Sequence, residues 1–206
     1  MSAPELVSYW HKSYDGELYI KHPDITHAAQ RIGSLLGMFG REDTVRNIYF
    51  GVVDDENESH PLQLGGAIID TDLSITFWSS PYTEHSEIVA QGRRASVLIG
   101  HSHVPHSSLR MKKMTVSAVP PEATATHLAA LNVARQKLDL HVRDIEEFED
   151  TVAPKQLYVA TPSPDPNMTT MPLSAYRREG DELLWTRSIA YPVTAAMIFG
   201  PAGKPA

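Results

Sequence analysis

Cysteine is absent from all 206 residues. That single absence removes disulfides, thiol nucleophiles, zinc–thiolate centres and iron–sulfur ligation together. No run approaches the ~18 consecutive apolar residues of a membrane helix, so no membrane partner is expected. The opening residues MSAPELVSYWHK lack a basic start followed by an apolar stretch. No signal peptide is read there, and the expected location is cytoplasmic. A cationic excess is also missing, because 18 lysines and arginines face 25 acidic residues, for a net charge of −7. Nucleic-acid binders normally carry a basic face, so no nucleic-acid partner is expected. Several enzyme signatures are missing too. There is no Gly-x-Ser-x-Gly elbow, no Gly-x-Gly-x-x-Gly and no phosphate-cradling Gly-x-x-x-x-Gly-Lys-Ser/Thr loop. These gaps argue against α/β-hydrolase, Rossmann and P-loop chemistry. The acidic runs Asp54–Glu58 and Asp144–Asp150 read as solvated faces, and the first lacks EF-hand spacing.

What remains is ordinary globular material: 42% hydrophobic and 21% charged residues, in a length that suits one domain able to bury its own core. The first 22 residues mix aromatics (Tyr9, Trp10, Tyr14, Tyr19) with polar residues and read as an arm that packs on another surface such as a partner subunit, or equally as a frayed end with a few docked rings. Apolar positions from Ile25 to Phe39 recur at helical spacing, with Gly40 as a stop and Gly33 and Gly37 as weak points. A β-rich region follows. Ile48–Val53 is a strand, Asp54–Pro61 a turn, and Leu62–Ile69 a second strand with Gly65 and Gly66 inside it. Asp70–Asp72 turns the chain into Ser74–Trp78. Thr83 can cap a short helix running to about Gln91, ended by Gly92. Ala95–Ile99 reads as a strand buried on both faces, and Leu109–Val119 as a longer one.

Pro120 and Pro121 open a helix with Leu128, Leu131, Ala134 and Leu138 on one side. Val142, Ile145, Phe148 and Val152 suggest a second amphipathic turn. Leu157–Ala160 is a strand and Thr161–Pro166 a loop. Leu173–Arg177 and Leu183–Ile189 form a closing hairpin, and the last residues from Gly200 read as mobile. The expected fold class is α+β, mainly β: a split barrel of about six to eight mostly antiparallel strands with peripheral helices. One domain spans 1–206. It comprises an arm and helix (1–44), a barrel (45–192) with a helical insertion (121–152), and a tail (193–206).

His101, His103 and His106 form an H-x-H-x-x-H cluster whose imidazoles could bind a metal. Solvated loop histidines are the duller reading and the favoured one, so no metal site is expected. Thr26, His27 and His127 read as packing or surface residues.

The stretch from Tyr49 to Pro120 carries a likeness. It runs strand, turn ending in His60-Pro61, strand, acidic turn, "ITFWSS" (75–80), short helix, "RRASVLIG" (93–100) and "LRMKKMTVSAV" (109–119). The closing "YRREGDELLWTRSIAYP" (176–192) adds to it. In this order of elements the chain resembles the pyridoxamine 5′-phosphate oxidase-like, FMN-binding split-barrel superfamily, over about 90 of its residues. The resemblance implies a homodimer with two cofactor sites at the subunit seam. It also implies flavin-mediated hydride or electron transfer on a small-molecule substrate. The implied cofactor-binding positions are Gln63, Leu64, Gly65, Trp78, Ser79, Ser80, Thr83, Glu84 and His85. No catalytic residue is implied. Trp78, Trp185 and Tyr82 are the aromatics expected near the ligand, and Ser102–Ser108 and Pro162–Pro172 the loops expected to shape its pocket.

The chain departs from the family where the FMN phosphate is usually gripped. An arginine and an Arg-Lys pair there correspond to Gln63, Glu84 and His85. Charge-assisted bonds carry much of a phosphate's grip, and losing two or three costs several kcal/mol, at roughly 1.5–3 each. His85 or the first-turn N–H groups could compensate. The alternative expectation is a split barrel that binds haem, a deazaflavin or another ligand in place of FMN, or none.

Overall fold

The computed structural model describes residues 10–13, 16–37, 48–56, 58–64, 67–101, 104–137 and 140–200, without the side chains of 34–37, 101–107 and 137. Strands β1 (Trp10–Lys12) and β2 (Tyr19–Lys21) precede helix α1 (His22–Gly37). Then come β3 (Ile48–Val53), β4 (Ser59–Gln63), β5 (Ala67–Ile69) and β6 (Ile75–Ser79), helix α2 (Glu84–Ala90), β7 (Ala95–His101) and β8 (Val104–Ala118). Helices α3 (Pro121–Lys137) and α4 (Glu146–Glu149) form the insertion. Strands β9 (Gln156–Thr161), β10 (Thr169–Glu179) and β11 (Glu182–Pro192) and helix α5 (Ala195–Phe199) complete the chain.

Seven strands lie side by side in the order β5-β6-β9-β8-β7-β3-β4, every pairing antiparallel. The end strands β4 and β5 are consecutive in the chain, and among the described residues no pairing joins them. The architecture is therefore α+β, mainly β, with a sheet that curls but stays open at one seam. Alternation builds the interior. In β3, Ile48, Phe50 and Val52 are buried while Tyr49 and Val53 point out, as a period of two requires. Phe50, Ile75, Phe77, Ile99, Met111 and Met114 belong to the main core.

Strand β8 is the hinge of this arrangement. Its first half pairs with β7, from Leu109↔Ile99 to Met114↔Ala95. Its last residues, Thr115–Ala118, pair with β9. Between them Lys113 takes a left-handed backbone (φ 55°), and the β7 register slips between Ala95 and Val97. A bulge bends a strand and raises its twist. Arg94 steadies this one by donating Nη1–H to the Lys113 carbonyl at 3.2 Å.

Helix α1 closes the barrel's other side. Ile25, Ala29 and Ile32 are buried, one stripe of the 3.6-residue period. Gly33 is more than a weak point in this helix. A Cβ built there falls well under 3.0 Å from the Ile198 carbonyl oxygen in α5, so the glycine admits the C-terminal helix. The arm docks on its own chain: Ile20 is fully buried, Tyr19 pairs with Tyr176, and Trp10 meets Tyr176 edge-on, with ring centroids 4.9 Å apart. Tyr9 and Tyr14 lie outside the described residues.

Helices α3 and α4 cover a second, smaller core of Val119, Leu128, Leu131 and Leu157. Asn132 pins the segment between them. Its side chain donates to the Arg143 carbonyl at 2.7 Å and accepts from the Arg143 amide at 2.8 Å.

Several expectations are corrected. Leu62–Ile69 is not one strand: β4 and β5 belong to opposite ends of the sheet, and Gly65 and Gly66 lie outside the described residues. Strand β7 is buried on one face only, with Ser96 and Leu98 exposed on the other. Strand β8 starts at Val104, so most of the expected Ser102–Ser108 loop is strand. Likewise β10 begins at Thr169, inside the expected Pro162–Pro172 loop. Val152 is 88% exposed and packs on nothing in the insertion's core. Within the expected tail, Val193, Ile198 and Phe199 are buried. Among the described residues no helix is long and apolar enough to cross a membrane.

Candidate functional site

The loop from β6 into α2 gathers five of the implied cofactor positions. Thr83 has extended backbone (φ −83°, ψ 149°) and caps α2, its Oγ1 accepting from the Ser86 amide at 3.3 Å. Around it hydroxyls interlock. Ser86 Oγ donates to the Ser80 carbonyl at 2.7 Å, Thr83 Oγ1 donates to the same carbonyl at 3.1 Å, and Ser79 Oγ lies 3.3 Å from Thr83 Oγ1. Each hydroxyl has one proton to give. Thr83 Oγ1 also lies 2.9 Å from Ser86 Oγ. Ser86 spends its proton on Ser80 and Thr83 spends its own on Ser80 or Ser86, which leaves Ser79 to donate to Thr83. Only the Ser80 hydroxyl, which accepts from the Tyr82 amide at 3.3 Å, keeps an uncommitted proton.

His85 points inward from α2. With Ser79, Ser86, Phe50, Leu62, Phe77 and Tyr158 it lines a recess of about 10 Å³, room for roughly one water. Its Nε2 is buried with no hydrogen-bond partner among the described residues.

His60, in β4, is the residue that sequence reasoning missed. Its Nε2 meets Asp54 Oδ2 at 2.8 Å and its Nδ1 meets Glu84 Oε2 at 3.3 Å. The His85 ring stands edge-on to it, centroids 6.3 Å apart. The hydrogen bond to Asp54 holds the imidazole above its ordinary 6.5, and the same bond holds the Asp54 carboxyl below its ordinary 3.8. Glu84 also sits in the first turn of α2 together with Glu87, where negative charge suits the helix dipole. Its position is explained by the helix and by His60. The only sequence signal for this bridge was the phrase His60-Pro61, and its two partners come from residues 54 and 84.

The other implied positions diverge. Gln63 is exposed at the end of β4. Leu64 is buried in the main core, its amide donating to the Ile48 carbonyl at 3.0 Å. Gly65 lies outside the described residues. Trp78 is on the opposite face of β6 from Phe77. It packs on the insertion's core, under the Arg143 guanidinium at 4.6 Å and the Lys155 ammonium at 5.7 Å. Tyr82 is 71% exposed and Trp185 62%. Of the histidine cluster, the backbones of His101 and His106 are in β7 and β8, and their rings and all of His103 lie outside the description.

A different surface has the space that the α2 loop lacks. On the outer face of β4-β3-β7-β8, a depression of about 350 Å³ is lined by Tyr49, Gly51, Pro61, Ser96, Leu98, Arg110 and Lys112, among others. Cross-strand register creates it: Tyr49 pairs with Leu98, and Leu98 with Arg110. Tyr49 and Leu98 are 43% and 39% exposed, an uncovered apolar patch on a sheet otherwise packed from inside. Among the described residues neither Arg110 nor Lys112 forms an ion pair.

No family model matches the chain, and no curated protein matches it. Solved structures do. One is a pyridoxamine 5′-phosphate oxidase-related, FMN binding protein from Nostoc punctiforme, 14% identical over 84% of this chain and 97% of that one, with a TM-score of 0.42. An F420 reductase is 12% identical over 60% of this chain and 94% of that one, TM-score 0.44. HutZ, the haem storage protein from Vibrio cholerae, is 10% identical over 62% of this chain and 87% of that one, TM-score 0.45.

Proposed function

We propose that the chain is a homodimeric oxidoreductase of the split-barrel type that binds FMN on the outer face of β4-β3-β7-β8, beneath a second copy. The observation that carries this reading is the depression there, which joins a flat, partly apolar floor to two cations that form no ion pair among the described residues. Its volume lies within the range of small-ligand sites, roughly 300–1,000 Å³. Tyr49, Gly51 and Leu98 offer a surface for a planar ring, and Arg110 and Lys112 offer charge-assisted bonds to a phosphate. FMN, when bound, supplies hydride or electron transfer. The chain's own part is to hold the ring against β3 and β7, to neutralise the tail, and to exclude water with the second subunit.

The α2 loop does not fit an FMN phosphate. Its hydroxyl protons are mostly committed and its recess holds little more than a water. Two carboxylates, Asp54 and Glu84, share one imidazole, and Glu84 stands where the resemblance expects a cation. That acidic pair favours a second reading, in which the chain binds a planar ligand with no phosphate at this end, such as haem.

Absorbance of the purified protein separates the two. A flavin gives a band near about 450 nm and a haem a Soret band near about 400 nm. A colourless protein that takes up neither added cofactor sinks both. Arg110→Gln with Lys112→Gln should weaken FMN binding at least about tenfold. Leu98→Asp should convert a dimer, measured by light scattering, to a monomer that also loses FMN. A dimer that survives Leu98→Asp refutes this choice of interface.

A further inference from the structure

A second cavity of about 350 Å³ lies between helix α1 and the β10–β11 hairpin. It shares no lining residue with the depression or the α2 loop. One wall is a single stripe of α1: Asp24, His27, Ala28 and Arg31, spaced three, four and seven residues from the first. The floor is Pro172, Leu173 and Ser174 of β10, and the far wall is Trp185 and Ser188 of β11.

Trp185 is in this wall because of an irregularity. Residues 185 and 188 are three apart, so plain alternation along a strand sends them to opposite faces. Here the pairing runs Ser174↔Ser188, Ala175↔Arg187, and then Tyr176↔Trp185, skipping one residue of β11. The slip turns the indole to the face that carries Ser174 and Ser188, towards α1. Bulges of this kind re-aim side chains beside functional sites. The result leaves a large ring 62% exposed, with no packing role evident.

The opposite wall is poised in a complementary way. Arg31 Nε donates to His27 Nε2 at 3.2 Å. The bond requires that nitrogen to accept. It spends one guanidinium proton, and among the described residues the terminal fork has no hydrogen bond or ion pair. Among the described residues Arg31 has no carboxylate partner. A fixed guanidinium fork matches a carboxylate in bidentate fashion, an indole face takes a flat ring, and the two serines and Asp24 can meet polar substituents.

We propose that this groove is a binding site for a small planar aromatic carboxylate, stacked on Trp185 with its carboxylate on Arg31. The site is independent of the cofactor reading. The test is calorimetric titration of the full chain with 2-naphthoate, using the neutral 2-naphthamide as control. Wild type should bind 2-naphthoate saturably and the amide at least about tenfold more weakly. Arg31→Met and Trp185→Ala should each weaken 2-naphthoate at least about tenfold, while Trp185→Phe keeps most of the affinity. Thermal melts within a few degrees of wild type will show that both variants fold, as expected for exposed positions. Absent saturable binding by wild type overturns the proposal, as does wild-type affinity in either Arg31→Met or Trp185→Ala. FMN uptake should be the same in these variants as in wild type. A parallel change overturns the independence of the groove while leaving the cofactor reading standing.

Discussion

Replacing Gly33 with alanine sets two effects of opposite sign against each other. On helix propensity alone the change stabilises, since glycine in a helix interior is about 1 kcal/mol worse than alanine. The structure adds a clash. The new methyl meets the backbone carbonyl oxygen of Ile198 well under 3.0 Å away, with the Ile198 carbonyl carbon at 3.5 Å and Cγ2 at 3.8 Å. A flexible side chain could swing aside, but a helix carbonyl moves only with its helix. Helix α5 must then slide off α1, and it carries Ile198 and Phe199, both buried. Overpacking of this kind costs about 1–3 kcal/mol. Partial loss of either side chain's burial, worth roughly 1.5–3 kcal/mol when complete, adds to it. The net expectation for Gly33→Ala is a loss of about 2 kcal/mol, a fall in Tm of about 4–8 °C for a chain of this size. Urea and thermal unfolding measure it, with Gln30→Ala at an exposed site of the same helix as a control that should stay within about 0.5 kcal/mol. A Gly33→Ala protein more stable than wild type refutes the docking of α5 on α1.

Three further outcomes are expected. The His60 shift is upward, so its contribution to stability is full below pH 6.5 and is lost as pH rises through the raised value. The Asp54 shift is downward, so its share is full above pH 3.8 and is lost as pH falls through the lowered value. The bridge is therefore worth most in mildly acidic solution. Asp54→Asn should bring the His60 titration, followed by NMR, back towards 6.5, and its stability deficit should shrink in alkaline buffer. A His60 titration unchanged in this variant denies the bridge. Lys113→Val places a β-branched residue at positive φ and should lose about 1–2 kcal/mol in urea melts, whereas Lys113→Gly is tolerated. Asn132→Ala removes both bonds to the Arg143 backbone and should lower stability by about 1–3 kcal/mol, with faster hydrogen exchange confined to the segment after α3.

Where a signal is local, the sequence was readable. The short apolar run Ile48–Val53 marks β3 to the residue, and Thr83 with the run to about Gln91 marks α2 and its cap to within one residue. The Asp70–Asp72 turn is equally plain. What escaped depends on partners distant along the chain. Nothing near Leu64 says that the chain crosses from one end of the sheet to the other between β4 and β5. The apolar phrase ASVLI reads as doubly buried, yet Leu98 faces outward, because a missing outer layer leaves no local trace. Trp78 follows Phe77 and reads as a ligand contact. Its side of β6 belongs to the insertion, whose cations close over it. The hydroxyls of Ser79, Thr83 and Ser86 lie together, but their protons are committed within the loop. That kind of bookkeeping needs distances.

The bend at Lys113 has a consequence for how this chain can change over evolution. One continuous segment, Leu109–Ala118, stitches both halves of the barrel. A single added or deleted residue in it puts its two parts out of step, so that holding register with one of β7 and β9 swaps inward for outward side chains against the other. Substitution is the only kind of variation that this segment can absorb, and growth or shrinkage of the protein must be accommodated elsewhere, in the turns and the helical insertion.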